Sequence, residues 1–155
     1  MTHHIRAARA TDVPALVSLM QAFYAESDFP LAAEPASRAF EALLADDRLG
    51  AIWLAEDSGK AVGHVVLTVC YSMEYGGLRG FIDDLFVLRA ARGRGIAADL
   101  LAATRVGAAA RGVRALHVEV GPDNDTARRL YARSGYADSG HLLLSLPLAP
   151  PLHAA

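Results

Sequence analysis

Between Thr11 and Tyr24 apolar side chains recur at helical spacing, at Leu16, Leu19, Met20 and Phe23, which predicts an amphipathic helix. Thr11-Asp12-Val13-Pro14 opens it, with Asp12 as the candidate N-cap and a proline in the first turn. A short strand, Ile5-Arg6-Ala7-Ala8, precedes it. Ala25–Ala33 breaks the pattern, and a second helix from about Glu34-Pro35 to Asp46 gathers Ala39, Phe40, Leu43 and Leu44 on one face. After Gly50 the period changes to that of strands. Ile52–Ala55, a turn at Asp57-Ser58-Gly59-Lys60 and Ala61–Tyr71 predict a hairpin, and Gly76-Gly77 turns the chain into a further strand, Phe81–Leu88.

Arg92-Gly93-Arg94-Gly95 begins a third helix that ends at Arg111-Gly112, where glycine suits the left-handed position past a helix end. Val113–Val120 is a β-branched apolar strand, Gly121-Pro122-Asp123 a turn, and Asn124 the cap of a fourth helix running to Ser134-Gly135. Tyr136–Asp138 and Leu142–Leu146 predict two closing strands. The resulting order, β-α-α-β-β-β-α-β-α-β-β, is an α/β layout of seven strands and four helices centred on a strand–loop–helix–strand crossover. It reads as one domain over residues 1–155, with the proline-rich 147–155 as a flexible tail.

Composition narrows the classes. The chain has 155 residues, 53% hydrophobic and 21% charged, with a net charge of −2, which suits one compact domain. Its longest uncharged apolar stretches, Ala61–Tyr71 and Gly140–Ala155, fall short of the roughly 20 residues that cross a bilayer. No membrane partner is expected. Met1-Thr2-His3-His4-Ile5-Arg6 has no signal-peptide pattern, so the expected location is cytoplasmic. Cys70 is the only cysteine, which excludes an intramolecular disulfide and reads as a packing residue rather than a nucleophile. His3, His4, His64, His117, His141 and His153 show no metal-ligand spacing, so no metal is expected. A near-neutral chain lacks the basic footprint of a nucleic-acid binder. Lys60 is the single lysine, and the arginines crowd into Arg89–Arg94 and Arg128–Arg133, which points to a discrete anionic ligand.

The strongest chemical feature is Arg89-Ala90-Ala91-Arg92-Gly93-Arg94-Gly95-Ile96-Ala97, between a strand and a helix N-terminus. Free N–H groups and the positive end of the helix dipole make an anion site there, glycines permit close backbone approach, and arginines add bidentate donors. A diphosphate is the natural ligand. Gly93-x-Gly95-x-x-Ala98 formally matches a dinucleotide fingerprint, with Glu119 as the ribose acid. Against that reading, Leu88–Arg92 separates the first glycine from the strand, and too little chain follows Glu119 to complete such a sheet. A nucleoside-triphosphate loop is excluded because no Gly-Lys-Ser/Thr follows.

The remaining candidate is a coenzyme A thioester, and here the chain resembles the GNAT superfamily of acyl-CoA-dependent N-acyltransferases over nearly its whole length. Arg92-Gly93-Arg94-Gly95-Ile96-Ala97 matches the superfamily's Arg/Gln-x-x-Gly-x-Gly/Ala signature, after a strand Phe81–Val87 of the expected type. A second motif, Asn124-Asp125-Thr126-Ala127-Arg128-Arg129-Leu130-Tyr131-Ala132-Arg133-Ser134-Gly135-Tyr136, follows at the expected distance. The resemblance implies a mixed, mostly antiparallel sheet of about six to seven strands flanked by four helices, with a splayed strand pair at the acyl-CoA site. It implies acetyl-CoA as co-substrate, held by the backbone of Leu85, Phe86 and Val87, by Arg92, Gly93, Arg94, Gly95, Ile96, Ala97 and Ala98, and by Asn124. Homodimers are common among similar proteins, and the resemblance extends that expectation to this chain.

Acyl transfer to an amine needs a base for the amine and an acid for the departing thiolate. Tyr131 shares a helix face with Ala127 and Leu130, and the resemblance makes its phenol the acid. Asp83 and Asp84 are adjacent carboxylates in an apolar strand, costly unless they face a cleft or a partner. Alternation sends them to opposite faces. Similarity to small-amine acetyltransferases favours Asp83 as base or water relay, with Asp84 as rival; Glu119 beside His117 is a further candidate. Tyr24, Glu26, Asp28 and Phe29, together with Tyr71, Glu74 and Tyr75, would suit a cationic small-molecule acceptor. A polyamine, an aminoglycoside, an amino acid, a protein N-terminus or a lysine all fit. A non-catalytic acyl-CoA sensor would keep the loop and Asn124 but would not need Tyr131 or the acidic pair.

Overall fold

The computed structural model describes residues 2–154. Five strands form one sheet in the order β1-β2-β3-β4-β5: β1 (His4–Ala7), β2 (Gly50–Asp57), β3 (Lys60–Ser72), β4 (Gly77–Val87) and β5 (Val113–Val118). The first four pair antiparallel and β5 joins β4 in parallel. A parallel neighbour needs a crossover, which α3 (Ile96–Ala110) supplies. At the β2–β3 turn Ser58 and Gly59 both have positive φ, 53° and 76°, as a tight hairpin requires.

Each face of the sheet carries its own apolar layer, because successive strand residues point to opposite sides. Helices α1 (Val13–Ala25) and α2 (Ala33–Ala45) cover one face, where Leu16, Phe40, Ile52, Leu54, Val66 and Phe86 meet. Helix α3 covers the other, where its Leu100 joins Trp53, Val65, Leu67 and Ile82 of the sheet. Helix α4 (Asp125–Arg133) lies on that second side, where Leu130 and Tyr131 pack half-buried at the edge of the layer. Asp12, expected as the cap of α1, does other work. Its carboxylate accepts both terminal nitrogens of Arg6 at 2.8 Å and the Arg9 N–H at 2.7 Å, and its pKa falls to about 2.

Two expectations need correction. The closing strands at Tyr136–Asp138 and Leu142–Leu146 do not form, so the sheet has five strands rather than six or seven. A strand needs a neighbouring edge, and this segment reaches none. The chain leaves α4 through Tyr136 and ends across the sheet, where Pro150, Pro151 and Leu152 border Pro30, Leu31, Ala32 and Pro35. The last described residues, Leu152–Ala154, make a 3-10 turn, and the His153 ring lies 4.6 Å from Phe29 and 5.4 Å from Tyr24. Cys70, expected to pack, is exposed, because β3 runs on past the helices.

His64 is the unexpected element of the core. It faces Phe40 and Phe86 with 0% exposure, and neither ring nitrogen has a hydrogen-bond partner. Burial lowers its pKa to about 4. As pH falls through 6.5 towards 4, the unfolded chain takes up a proton that the folded chain refuses, so this group removes roughly 3 kcal/mol of stability across that window. His64→Leu is therefore expected to gain stability over the parent as pH drops from 7 to 4. Denaturant melts at both pH values check it, and an unchanged difference between the two proteins would contradict it.

Candidate active site

The site opens where the sheet splits. β4 and β5 pair from Leu78↔Val113 to Ile82↔Val118 and then part. β5 ends at Val118, whereas β4 continues to Val87 with its other edge still bonded to β3, down to the pair Gly63↔Val87. Residues 83–87 thus offer an unpaired backbone edge, a ready template for an extended ligand. Leu85 and Val87 point to the α3 side and Phe86 to the α1 side, which anchors that edge in both layers. Pairing between β4 and β5 thus stops where the resemblance placed a splayed pair.

Directly after this edge comes the glycine loop. Gly93 and Gly95 have φ of 76° and 80°, left-handed values that side chains resist, and nothing lies within 4 Å of where a Cβ would stand. Glycine is required here by conformation, and the open space leaves room for a ligand. The amides of Ile96, Ala97 and Ala98, in the first turn of α3, have no carbonyl partner within the helix and carry its positive dipole end.

The two loop arginines, expected to clasp phosphate, are tied down by protein partners. Arg92 donates through Nε to the Val87 carbonyl at 2.8 Å, donates to Glu26 at 2.7 Å, and lies over the Phe86 ring. Arg94 donates to Asp57 at 2.7 Å. Glu26, expected at the acceptor, instead joins Arg92, with Arg89 at 4.0 Å. These ties bind the loop to the end of β4, to α1 and to the β2–β3 turn, and the first-turn amides of α3 take no part in them. Arg92→Ala is expected to raise the KM for acetyl-CoA about tenfold, the worth of one or two charge-assisted hydrogen bonds, with kcat nearly unchanged. Initial-rate kinetics read this, and an unaltered KM would show that the loop holds its shape without the tie.

The acidic pair departs from simple alternation. Val66 pairs with Asp84 and Leu67 with Ile82, so Asp83 is the extra residue of a β-bulge. The bulge lies at the apex of the splay, next to the last β4–β5 pair. Both carboxylates, Asp84 first, help burial push the Tyr24 phenol up to about 12, so both act on one α1 side chain. Asp84 is half-buried, and its pKa rises to about 7 through desolvation and then the Asp83 charge. Asp83 reaches the surface, and partial desolvation raises its pKa as well.

The remaining expected residues divide. Glu119 follows Val118 as Asp83 follows Ile82, so it stands level with the pair across the splay, exposed. Glu74 sits in the exposed β3–β4 turn, separated from Asp84 by about 23 Å of strand at 3.3 Å per residue, and is not brought to the pair. His117, beside Glu119 in sequence, packs on Phe81 and Tyr75 instead. Asn124 caps α4, its Oδ1 accepting the Ala127 N–H at 3.2 Å. Tyr131 is half-buried against Tyr136, ring centres 5.7 Å apart, and burial pushes its phenol up to about 12, so it keeps its proton at neutral pH. Among the described residues no group of three His, Cys, Asp or Glu side chains could hold a metal ion, and no helix is long and apolar enough to cross a membrane.

Sequence reasoning missed the bulge, His64 and the Arg92–Glu26 and Arg94–Asp57 ties. A lone histidine in the apolar run Val62–Leu67 was the one visible signal, whereas the ties join residues far apart in the chain.

A β4 edge released from β5, a left-handed glycine loop and a helix N-terminus define an acyl-CoA transferase fold, and comparison agrees. The model of the Acetyltransferase (GNAT) family matches residues 15–136, and the chain belongs to that family. The uncharacterized N-acetyltransferase YhfO of Bacillus subtilis (strain 168) is 29% identical over 150 residues, 93% of this chain and 98% of that protein. The integron cassette protein HFX_CASS3, from the mobile metagenome of Cole Harbour Salt Marsh, is 48% identical with a TM-score of 0.90, over 96% of this chain and 93% of its own. Aminoglycoside acetyltransferase AAC(6')-Iy, solved with the bisubstrate analogue CoA-S-monomethyl-acetylneamine, shares the fold at 21% identity and a TM-score of 0.80, over 96% of this chain and 100% of its own. The protein is an acetyl-CoA-dependent N-acyltransferase, and the open β4 edge and the glycine loop suit that co-substrate.

Proposed function

We propose that the protein acetylates a primary amine of a small cationic molecule by direct attack on acetyl-CoA in a ternary complex. The observation that carries this reading is the carboxylate pair at the β4 bulge, Asp83 as its extra residue and Asp84 beside it still in register with Val66, with Asp84 held near pKa 7. A base poised at that value accepts a proton at neutral pH, which a solvated carboxylate does poorly. Asp84 takes the amine proton, directly or through one water, as nitrogen bonds to the acetyl carbon. Asp83 and Glu119 add negative charge around an incoming ammonium, and Tyr24 stands on the α1 side within reach of the charge of both aspartates. As the carbon–sulfur bond breaks, Tyr131 on the α3 side gives its proton to the departing thiolate. The base belongs to one side of β4 and the acid to the other, which suits a thioester lying between them. The fold shared with AAC(6')-Iy adds support for a small polyamine or amino sugar as acceptor.

Thiol release from acetyl-CoA across polyamines, aminoglycosides, amino acids and peptides tests this. Release driven by a small cationic amine is the expected result. Release only with peptides would move the acceptor to a protein terminus or lysine. Binding of acetyl-CoA with no release from any amine would point to a sensor and defeat the catalytic reading.

A further inference from the structure

We propose that the acceptor is a free diamino acid, its carboxylate held by Arg79 and His117 and its distal amine delivered to Asp84 along the same face of the sheet. This rests on the reading of Asp84 as the base and names the substrate class of that site. Register puts these groups on one face. Val66, in the layer under α1, pairs with Asp84, and two positions along β3 Thr68 pairs with Phe81, which pairs in turn with His117 of β5. Arg79 precedes Phe81 by two positions and so shares the face, and its guanidinium carbon lies 5.4 Å from the centre of the Phe81 ring, on the way to Asp84. The His117 ring lies 5.2 Å from that same ring and 5.8 Å from Tyr75, in the exposed β3–β4 turn.

Two polar groups on this face lack a partner. Arg79 Nε and His117 Nε2 are both buried and neither makes a hydrogen bond, and among the described residues no carboxylate pairs with Arg79. Arg114 on β5 shows the contrast, since it donates to the Tyr75 carbonyl at 3.0 Å. Buried donors without acceptors are costly, and two of them beside one aromatic ring point to an acceptor from outside the chain. Burial and then the Arg79 charge lower the His117 pKa against a pull from Glu74, so the ring is neutral at pH 7 and offers one N–H. A carboxylate matches the guanidinium fork and keeps a lone pair for that N–H. Spacing then selects the amine. About 10 Å of strand separates Phe81 from Asp84 at 3.3 Å per residue, and hydrogen bonds at the two ends take about 3 Å each. An α-amine, on the carbon next to its carboxylate, is too close to serve both ends, whereas an amine carried on about four methylenes spans them. Glu74, whose charge acts on His117, stands at the carboxylate end for the α-ammonium.

Calorimetry of free lysine and of 1,5-diaminopentane with the full chain loaded with coenzyme A, beside kcat/KM for each amine with acetyl-CoA, tests this. The two amines differ only in the carboxylate, so their ratio on one protein is its own control for folding. The parent should bind and acetylate lysine about tenfold or more better than the diamine, and Arg79→Gln should bring the two within about threefold of each other. The loss should fall on Kd and KM for lysine. His117→Gln, which removes one of the two donors, should narrow the ratio part of the way. Equal binding of the two amines by the parent overturns the proposal, and so does a preference for lysine that survives Arg79→Gln. Lysine bound through Arg79 with no amine acetylated would uphold the carboxylate site and defeat the proposed reaction. Acetylation of the diamine in preference to lysine would uphold the reaction and defeat the site.

Discussion

Replacing Asp84 with asparagine is expected to lower kcat/KM for the amine by about 10²- to 10⁴-fold, the usual worth of a general base, and at the same time to stabilise the protein at pH 8. The two effects share one cause. Burial and the neighbouring Asp83 raise the Asp84 pKa from the usual 3.8 to about 7. Between those values the folded chain holds a proton that the unfolded chain has released, so stability falls as pH rises through the window and the penalty is complete above pH 7. Asparagine is neutral at every pH and escapes it, for a gain of about 2–4 kcal/mol at pH 8 that vanishes below pH 4. In the parent, kcat/KM should fall on the acid side of about pH 7. Asp83→Asn, which removes the nearby charge, should move that limb to lower pH without abolishing activity. Paired pH–rate profiles and denaturant melts of the three proteins measure all of this. An active Asp84→Asn enzyme, or one no more stable at pH 8 than the parent, would return the role of base to Asp83. In melts of the parent alone the slopes from Asp84 and His64 oppose each other between pH 4 and 6.5, so the single variants are needed to expose either.

Tyr131→Phe is expected to reduce kcat by about 10²-fold or more while the KM for acetyl-CoA stays within a few-fold. The ring and its packing on Tyr136 are kept, and only the phenolic proton is lost. With a pKa near 12 the parent phenol is protonated throughout the neutral range, as a donor to a leaving thiolate must be. Steady-state kinetics with any accepted amine decide the matter. A kcat within threefold of the parent would make Tyr131 a packing residue and leave the thiolate to be protonated by water.

Most of the architecture was legible in local patterns. The helix at Val13–Ala25 follows from the spacing of Leu16, Leu19, Met20 and Phe23, and the hairpin from Ser58-Gly59 between two apolar runs. The loop Arg92–Gly95 announced an anion site through glycines beside a helix start, and both glycines do adopt left-handed conformations. The two closing strands were misread because an apolar run such as Leu142–Leu146 carries strand propensity but does not say where its partner edge lies. Arg92, Arg94 and Glu26 were matched to ligands by type, yet charges of opposite sign at residues 26, 57, 92 and 94 meet in space.

Local order was written in neighbouring residues, since periodicity, turn glycines and caps act over a few positions of chain. That much marked out the helices, the hairpin, the glycine loop and the candidate proton-moving residues. The distinction between Asp83 and Asp84 lay beyond its reach. A one-residue bulge against β3 breaks the alternation, and the depth at which each carboxylate then sits raises one pKa to about 7. Register and desolvation are properties of how distant segments pack, and packing alone set them.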